Sequence, residues 1–398
     1  MSVATALTPD VLARVRDLLK KQGLDGWLLF DFHGLNPVAT RVLGVTGLAT
    51  RRLFVLLPAS GPPIALAHRI ELGRLEGFPG EIRPYAAWRE LEQELGRLLS
   101  GKKVAMEYSA RDSVPYLDRV PAGVLELIRG AGARVETSSA FVTDIASRWS
   151  PEELAGHRKA AGHLKEIALG AFAHVRDALT GGEAPTEYSV QQWVLRAMER
   201  AGLFTTDPPI VGVGPNAANP HYEPKAAADT PVRRGEVLLL DLWGGVRIDT
   251  VYADQTWMAF VGAEAPDEVR RVWNVVREAR DHAVAVLRDR WREGWSVSGA
   301  DLDDAARGVI RAAGFESNFV HRTGHSIDRD LHGSGPHLDN YETHDDRVLA
   351  AGIGFSVEPG VYLTGRFGVR SEINVVLHDD GPEVTPEGPQ QDLIYLDV

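Results

Sequence analysis

Gly354-Phe355-Ser356-Val357-Glu358-Pro359-Gly360-Val361-Tyr362 is an apolar run that delivers an acid to its end and is then cut by a Pro-Gly turn. The run that follows, Gly368 to Val376, alternates. Arg370 and Glu372 fall on one face, and Val369, Ser371 and Ile373 on the other. A β-hairpin carrying two acids is expected there. The arrangement recurs upstream, where Val237 to Leu240 reads as a buried strand ending in Asp241. After a turn at Gly244-Gly245 the chain returns through Tyr252, Asp254 and Thr256 to Phe260, with those three residues on one face at period two. A lone carboxylate beside Leu238 to Leu240 is costly unless it meets cations or donors. Buried acids without basic neighbours suggest a metal. Either aspartate taken alone reads equally as a turn cap or an exposed edge residue.

Between the two hairpins, Phe319 to His332 concentrates His321, His325 and His332, three of the 13 histidines in the chain. Neutral imidazole serves as a ligand or a proton shuttle near neutral pH. Without the acids, the same stretch reads as a polar surface loop. Four carboxylates at strand ends with one histidine form an oxygen-rich, nitrogen-poor set suited to manganese, cobalt, zinc or iron, and two ions sharing carboxylates fit it best.

Working outward, Ser150-Pro151-Glu152-Glu153 is a helix start, with a serine cap, proline at the first helical position and an acid three residues after the cap. A domain boundary is expected there. Downstream, long helices over Pro151 to Thr180 and Pro266 to Trp291 each precede a second helix. These run from Thr186 to Ala201-Gly202 and from Ser298 to Ala313-Gly314, both with 16 residues from cap to glycine. Each pair leads through a strand-like segment to histidines, around His221 and His321. Duplication would give pseudo-twofold halves with a site between them, although two amphipathic helices of similar length also look alike. Upstream, a helix over Pro9 to Gly23 precedes apolar runs at Trp27 to Phe30, Leu53 to Leu57, Ile64 to Ala67 and Val104 to Glu107. Helical stretches are expected at Glu90 to Leu99 and Tyr116 to Arg129. That alternation reads as an α/β domain without a catalytic cluster.

Composition narrows the function classes. A chain of 398 residues, 44% hydrophobic and 25% charged, has material for two cores. Its 43 basic against 55 acidic residues give a net charge of -12, which repels nucleic acid and anionic lipid, so neither partner is indicated. With Cys 0 there is no disulfide, thiolate nucleophile or sulfur-ligated zinc. Met1 to Asp10 lacks the features of a secretion signal, and no apolar run approaches the roughly 20 residues of a membrane span. A cytoplasmic location is expected.

From Ser150 to Val398 the chain resembles the pita-bread metallopeptidase superfamily of methionine aminopeptidases, aminopeptidase P, prolidases and the metal-free creatinases. The resemblance rests on Asn219-Pro220-His221, the two hairpin aspartates, Thr323-Gly324-His325, Val357-Glu358-Pro359-Gly360 and Val369-Arg370-Ser371-Glu372. It implies an α+β fold. A C-terminal pita-bread domain with pseudo-twofold halves, 150–398, would follow a smaller α/β creatinase-type domain, 1–149. Asp241, Asp254, His325, Glu358 and Glu372 would hold two divalent ions, manganese foremost, with cobalt or zinc able to substitute. His221, His332 and Glu358 would be catalytic, and His221, His321, His332 and Arg370 would serve substrate binding. The activity implied is that of an Xaa-Pro dipeptidase, or prolidase, with an Xaa-Pro aminopeptidase acting on longer peptides as the alternative. A non-catalytic binding protein that kept the fold is the reading from another class. Relatives with this N-terminal domain commonly form homodimers.

Four features depart from the pattern. The hairpin aspartates are 13 residues apart, wider than in most relatives. Ser326 follows His325 where glycine is usual, and Gly333 follows His332 where an acid is frequent. Where some prolidases carry the arginine that binds the dipeptide carboxylate, His344 stands here, with Arg347 or Arg366 as substitutes. Tyr222, Phe319 and Tyr362 are candidates for an apolar shelf under the proline.

Overall fold

The computed structural model describes residues 6–398; the reading of Met1 to Asp10 as lacking a signal lies partly outside them. The chain divides into two units, Met1–Ser147 and Arg148–Val398. Arg148 and Trp149 belong to the second, in which Trp149 Nε1 donates to Ile327 O at 2.9 Å.

In the first unit, α1 (Pro9–Gln22) starts where Thr8 Oγ1 accepts from Val11 N and stops at Gly23, which takes a left-handed φ of 62°. Then follow β1 (Gly26–Asp31), α2 (Pro37–Leu43), β2 (Leu53–Pro58), β3 (Ile64–His68), β4 (Glu81–Tyr85), α3 (Trp88–Leu99), β5 (Lys103–Met106), α4 (Ala122–Gly130) and β6 (Arg134–Thr137). The strands form one mixed sheet in the order β4-β3-β2-β1-β5-β6. The helix expected from Tyr116 begins only at Ala122. Pro121 has no amide hydrogen for an intrahelical bond and caps the helix rather than lying within it. Buried Glu107 accepts from Trp27 Nε1, Asn36 Nδ2 and Ser138 Oγ, which fixes it as a structural acid.

The second unit repeats one plan twice. Helices α5 (Pro151–Thr180) and α6 (Glu187–Arg200) precede β7 (Ile210–Val213), β8 (Val237–Gly244) and β9 (Ala253–Val261). Helices α7 (Asp267–Arg292) and α8 (Gly299–Ala312) precede β10 (Ser326–Ile327), β11 (Gly354–Val357), β12 (Gly360–Leu363), β13 (Phe367–Arg370), β14 (Ile373–His378) and β15 (Gly381–Thr385), and β16 (Ile394–Leu396) closes the chain. Helices α5, α6 and α8 start on reciprocal capping boxes, at Ser150/Glu153, Thr186/Ser189 and Ser298/Asp301. The sheets run β16-β9-β8-β7 and β10-β11-β14-β15. In each, a helix pair leads to a short edge strand and then to two acid-bearing segments. Ala160, Leu164, Ala168 and Phe172 of α5 pack with Leu238, Leu240 and Ala259 of the first sheet. Val272, Trp273 and Val276 of α7 pack with Phe355, Val375 and Leu377 of the second.

Two expectations change here. No strand leads into His321. Glu316–Asn318 is a single 3-10 turn, and β10 begins only after His325. The two runs expected as one continuous hairpin are also both broken. β11 pairs with β14 up to Val357↔Ile373, and β12 pairs with β13 from Gly360↔Arg370. Pro359 has no N–H for the ladder, and Glu358 N and Glu372 N bond instead to Thr323 O and Thr256 O. Both glutamates therefore occupy the breaks.

Among the described residues, no helix is long and apolar enough to cross a membrane.

Candidate metal centre

On the first sheet Asp241 pairs with Thr256, and Asp254 lies two residues from Thr256 on the same strand, so all three side chains share one face. The spacing between the aspartates is taken up in the connection between Gly244 and Ala253, and the register remains regular to the strand ends. From the second sheet come Glu358, Glu372 and His325. Gly324, which precedes the histidine, runs so close to β11 that a Cβ there would lie 2.0 Å from Ser356 O.

The side chains converge. His325 Nε2 lies 3.3 Å from Asp254 Oδ2 and 3.4 Å from Glu358 Oε1. Thr256 Oγ1 lies 3.1 Å from Asp241 Oδ1 and 2.8 Å from Glu372 Oε2, and it accepts from Arg370 Nε at 2.9 Å. A hydroxyl has one proton to give, so it cannot satisfy both carboxylates. Arg370 Nη2 donates to Asp241 Oδ2, and its Nη1 reaches Pro220 O at 3.4 Å. Ser356 Oγ holds Glu358 Oε1 at 3.0 Å and accepts from His325 N at 2.9 Å.

Electrostatics state what is missing. Burial, opposed by Arg370 and reinforced by Asp254 and Glu358, pushes Asp241 up to about 7. Burial also raises Asp254 and, with three acids facing it, carries Glu372 well above the carboxylate range. For Glu358 burial acts upward too, but the charges of His325 and Arg370 outweigh it and hold it low. Asp254 Oδ1 and Glu372 Oε1 are buried without a hydrogen-bond partner. Leaving such oxygens unpaired costs on the order of 1–3 kcal/mol each, more when they are charged. His325 Nδ1 donates to Ser326 O at 3.1 Å, so Nε2 faces the acids; burial opposes a charge on the ring, but Asp254 and Glu358 outweigh it and raise its pKa, and a bound cation would take the place of the Nε2 proton. Ligand atoms of Asp254, His325 and Glu372 lie within 4.8 Å of one another. Orphaned carboxylate oxygens beside an imidazole nitrogen fit divalent cations, and the donor set is oxygen-rich as the sequence suggested.

The flanking residues divide. His332 is exposed at the mouth, its ring edge-on to His325 with centroids 4.3 Å apart. The side of the ring that faces the site is desolvated, which, ahead of the charges of His325 and Arg322, lowers its pKa. His221 is exposed on the loop whose Pro220 O is held by Arg370. His321 is spent internally. Its Nδ1 donates to Arg322 O at 2.7 Å, so Nε2 accepts from the Tyr362 hydroxyl at 2.7 Å. Burial keeps this ring neutral, with a pKa of about 4. Any influence of His321 on substrate passes through Tyr362. Arg370, bonded to Asp241, Thr256 and Pro220 O and with only 4% of its side chain exposed, braces the cluster.

Burial removes Phe319 from the apolar shelf and Arg347 from the carboxylate anchors. Phe319 is fully buried in the core and cannot touch a ligand. Tyr222 donates to buried Glu187 at 2.6 Å and Tyr362 to His321, so both carry committed polar ends. Arg347 is buried and consumed by Asp345, Ser334 O and Gly335 O, and Arg366 pairs with Glu268. His344 Nδ1 is engaged by Asn340 Oδ1 at 2.7 Å. Gly333 has a steric cause. A Cβ there would lie 2.7 Å from the Asp328 carboxylate, which fills the space an acid at 333 would need.

Sequence reasoning missed Ser356 and Asn374. Asn374 accepts from Asp254 N at 2.9 Å and donates to Asp254 O at 2.8 Å, locking the first half's acid to the second half's strand. The signal was available, since each is a lone polar residue inside an apolar run, Phe355-Ser356-Val357 and Ile373-Asn374-Val375.

Comparison with known proteins places the chain among peptidases in sequence and in fold. "Probable dipeptidase PepE" of Mycobacterium bovis is 29% identical over 340 residues, covering 82% of this chain and 81% of the relative. The Xaa-Pro dipeptidase of Lactobacillus delbrueckii subsp. lactis is 32% identical over 243 residues, 61% of each chain. In fold, the chain is similar to the crystal structure of dipeptidase PepE from Mycobacterium ulcerans, with a TM-score of 0.76, 24% identity and 98% of each chain covered. Residues 156–379, which span every acid and histidine of the cluster, match Metallopeptidase family M24, and the chain belongs to that family.

Proposed function

We propose that the chain hydrolyses the peptide bond preceding proline in Xaa-Pro dipeptides, as a dinuclear metalloenzyme. The observation that carries the reading is the convergence of four carboxylates and one imidazole nitrogen on a pocket with orphaned acid oxygens. The relatives named Xaa-Pro dipeptidase support the substrate class. Asp241, Asp254, His325, Glu358 and Glu372 would hold the ions, with manganese as the proposed metal and cobalt or zinc as substitutes. When bound, the ions supply Lewis-acid activation of the nucleophilic water and of the scissile carbonyl.

The chain's own residues do the rest. Glu358, held ionised by the charge of Arg370, takes the water's proton at a carboxylate oxygen and passes it to the leaving imino nitrogen. His332, neutral at working pH and exposed at the mouth, donates a hydrogen bond to the developing oxyanion, and His221 approaches from the facing loop. Ser356 fixes the orientation of Glu358. Arg370 and Thr256 hold Asp241 and Glu372 at their separation. A homodimer in the cytoplasm is the setting we propose from the relatives.

One observation favours cleavage of longer peptides, the aminopeptidase reading. His344, Arg347 and Arg366, the three positions considered for a carboxylate anchor, all have side-chain partners already. The test is hydrolysis of Ala-Pro against Ala-Pro-Ala with manganese, cobalt and zinc in parallel. Cleavage of Ala-Pro at least tenfold faster than the tripeptide is expected. Comparable or faster tripeptide cleavage would replace the dipeptidase assignment, and no cleavage of either would remove the activity.

A further inference from the structure

The loop that carries His221 also carries a cation with no assigned use. Asn219, His221, Tyr222, Glu223, Lys225 and Ala228 line a cleft of about 390 Å³, within the size range of small-molecule sites. The loop is fixed at both walls. Arg370, which holds Asp241, reaches Pro220 O, and Tyr222 is anchored to buried Glu187 and to Asn216. Lys225 is exposed, and its ammonium makes no hydrogen bond or ion pair among the described residues. Glu223 shares the cleft without approaching Lys225 to ion-pair distance. Lys225 differs from the other unpaired lysines in that it lines one cleft with His221, where it is the only lysine or arginine among the lining residues.

We infer that Lys225 binds the terminal carboxylate of the substrate and thereby selects dipeptides, an inference that rests on the dipeptidase reading above. In an Xaa-Pro dipeptide the carboxylate lies one residue, ~3.3–3.6 Å of chain, beyond the scissile bond. In a pose with the scissile carbonyl at the acid cluster and the proline facing His221, the carboxylate would fall on the His221 side, the side on which Lys225 shares a cleft with His221. The four-carbon stem of lysine lets a compact ammonium follow it without a fixed bidentate geometry. A longer peptide presents a neutral amide there, which forfeits the charge-assisted bond. Lys225 is free of the side-chain partners that His344, Arg347 and Arg366 each have.

Two readouts on the full, manganese-loaded chain decide it. The first is turnover of Ala-Pro and of Ala-Pro amide by wild type, Lys225→Met and Lys225→Arg. Lys225→Met is expected to raise KM for Ala-Pro roughly 10- to 100-fold, the value of one hydrogen bond between charged groups. Its kcat should stay near wild type, its KM for the amide unchanged, and Lys225→Arg should retain most of the affinity. The second is calorimetric titration with proline and with prolinamide, which needs no turnover. Wild type should prefer proline, and Lys225→Met should not. An unchanged KM for Ala-Pro, an equal rise for acid and amide, or a proline preference that survives in Lys225→Met each overturns the inference, as does a wild type that binds proline and prolinamide alike. If wild type prefers proline through Lys225 yet fails to cleave Ala-Pro, the dipeptidase reading falls and the carboxylate site stands.

Discussion

The two acid-bearing sheets of the second unit share a plan and differ in how they deliver their carboxylates. In the first, β8 and β9 pair without interruption, and Asp241 and Asp254 project from regular strand positions. In the second, Glu358 and Glu372 occupy breaks in the ladder, and their amides bond across to Thr323 O and Thr256 O. Aspartate suffices where the strand itself passes the site, while glutamate carries one more methylene from a break. The second half also supplies His321, His325 and His332, whereas the first half contributes the loop of His221 and Lys225. A repeated scaffold has brought four acids to one point; under the proposed mechanism the proton acceptor, Glu358, comes from the second half and the proposed carboxylate holder, Lys225, from the first.

The sharpest way to break that comparison is Glu358→Gln. The amide keeps the shape and can still lie between Ser356 and His325, but it accepts no proton. We expect kcat for Ala-Pro to fall by on the order of 10²–10⁴, with most of the manganese retained by elemental analysis because the amide oxygen can still ligate. The first-half change Asp254→Asn should instead lower metal content, because it removes charge at an oxygen with no other partner. If Glu358→Gln keeps more than a tenth of the activity, or if both variants lose metal equally, the division of labour between the halves is wrong.

The next effect concerns the brace between them. Arg370 lies on the second half's β13 and holds Asp241 of the first half, with only 4% of its side chain exposed. Arg370→Met removes the one guanidinium facing four buried acids. Breaking a buried ion pair in this way typically costs ~3–5 kcal/mol. Urea unfolding of metal-free protein should show that loss, and added manganese should recover part of it by supplying the missing positive charge. A drop of under about 1 kcal/mol would demote Arg370 to a bystander.

How much of this was legible beforehand differs between the two hairpins for a physical reason. The first was readable because an acid after Val237-Leu238-Leu239-Leu240 stands out, and period two then places Asp254 and Thr256 together. The second yielded its acids but not its geometry. Alternation over Gly368 to Val376 reads as one strand, and nothing local announces that Glu372 leaves the ladder to meet Thr256, more than a hundred residues away. Tertiary contacts also decided the shelf and the anchors. Phe319 reads as a surface aromatic beside a histidine until α8 and β11 are packed around it, and Arg347 reads as available until Asp345 and two carbonyls claim it. Lys225 has no periodic or motif signal at all, and only the cleft singles it out.

The smallest effect tests whether the halves are also joined away from the metal. His157 on α5 is fully buried, with Nδ1 donating to Tyr252 O at 2.7 Å and Nε2 accepting from Thr385 Oγ1 at 2.7 Å. One ring thus ties the first half's acid strand to β15 of the second. Both bonds require the neutral tautomer, and burial, opposed weakly by the Tyr252 carbonyl, lowers its pKa to about 4 against an unfolded 6.5. Between those values the unfolded chain binds the proton and the folded one does not, so protons favour unfolding. The stability that neutral His157 permits is complete above about pH 6.5, erodes as pH falls, and levels off below about pH 4. The shift corresponds to about 3 kcal/mol. Acids elsewhere titrate in the same window, so the measurement is a difference, urea midpoints of wild type and His157→Gln from pH 7 to pH 4. Wild type should lose about 3 kcal/mol more than the variant over that range, because glutamine can keep a polar link but has no proton to gain. Parallel curves would mean that β15 and β9 are held together by their apolar packing alone, and that the duplicated halves are coupled only through the acids they share.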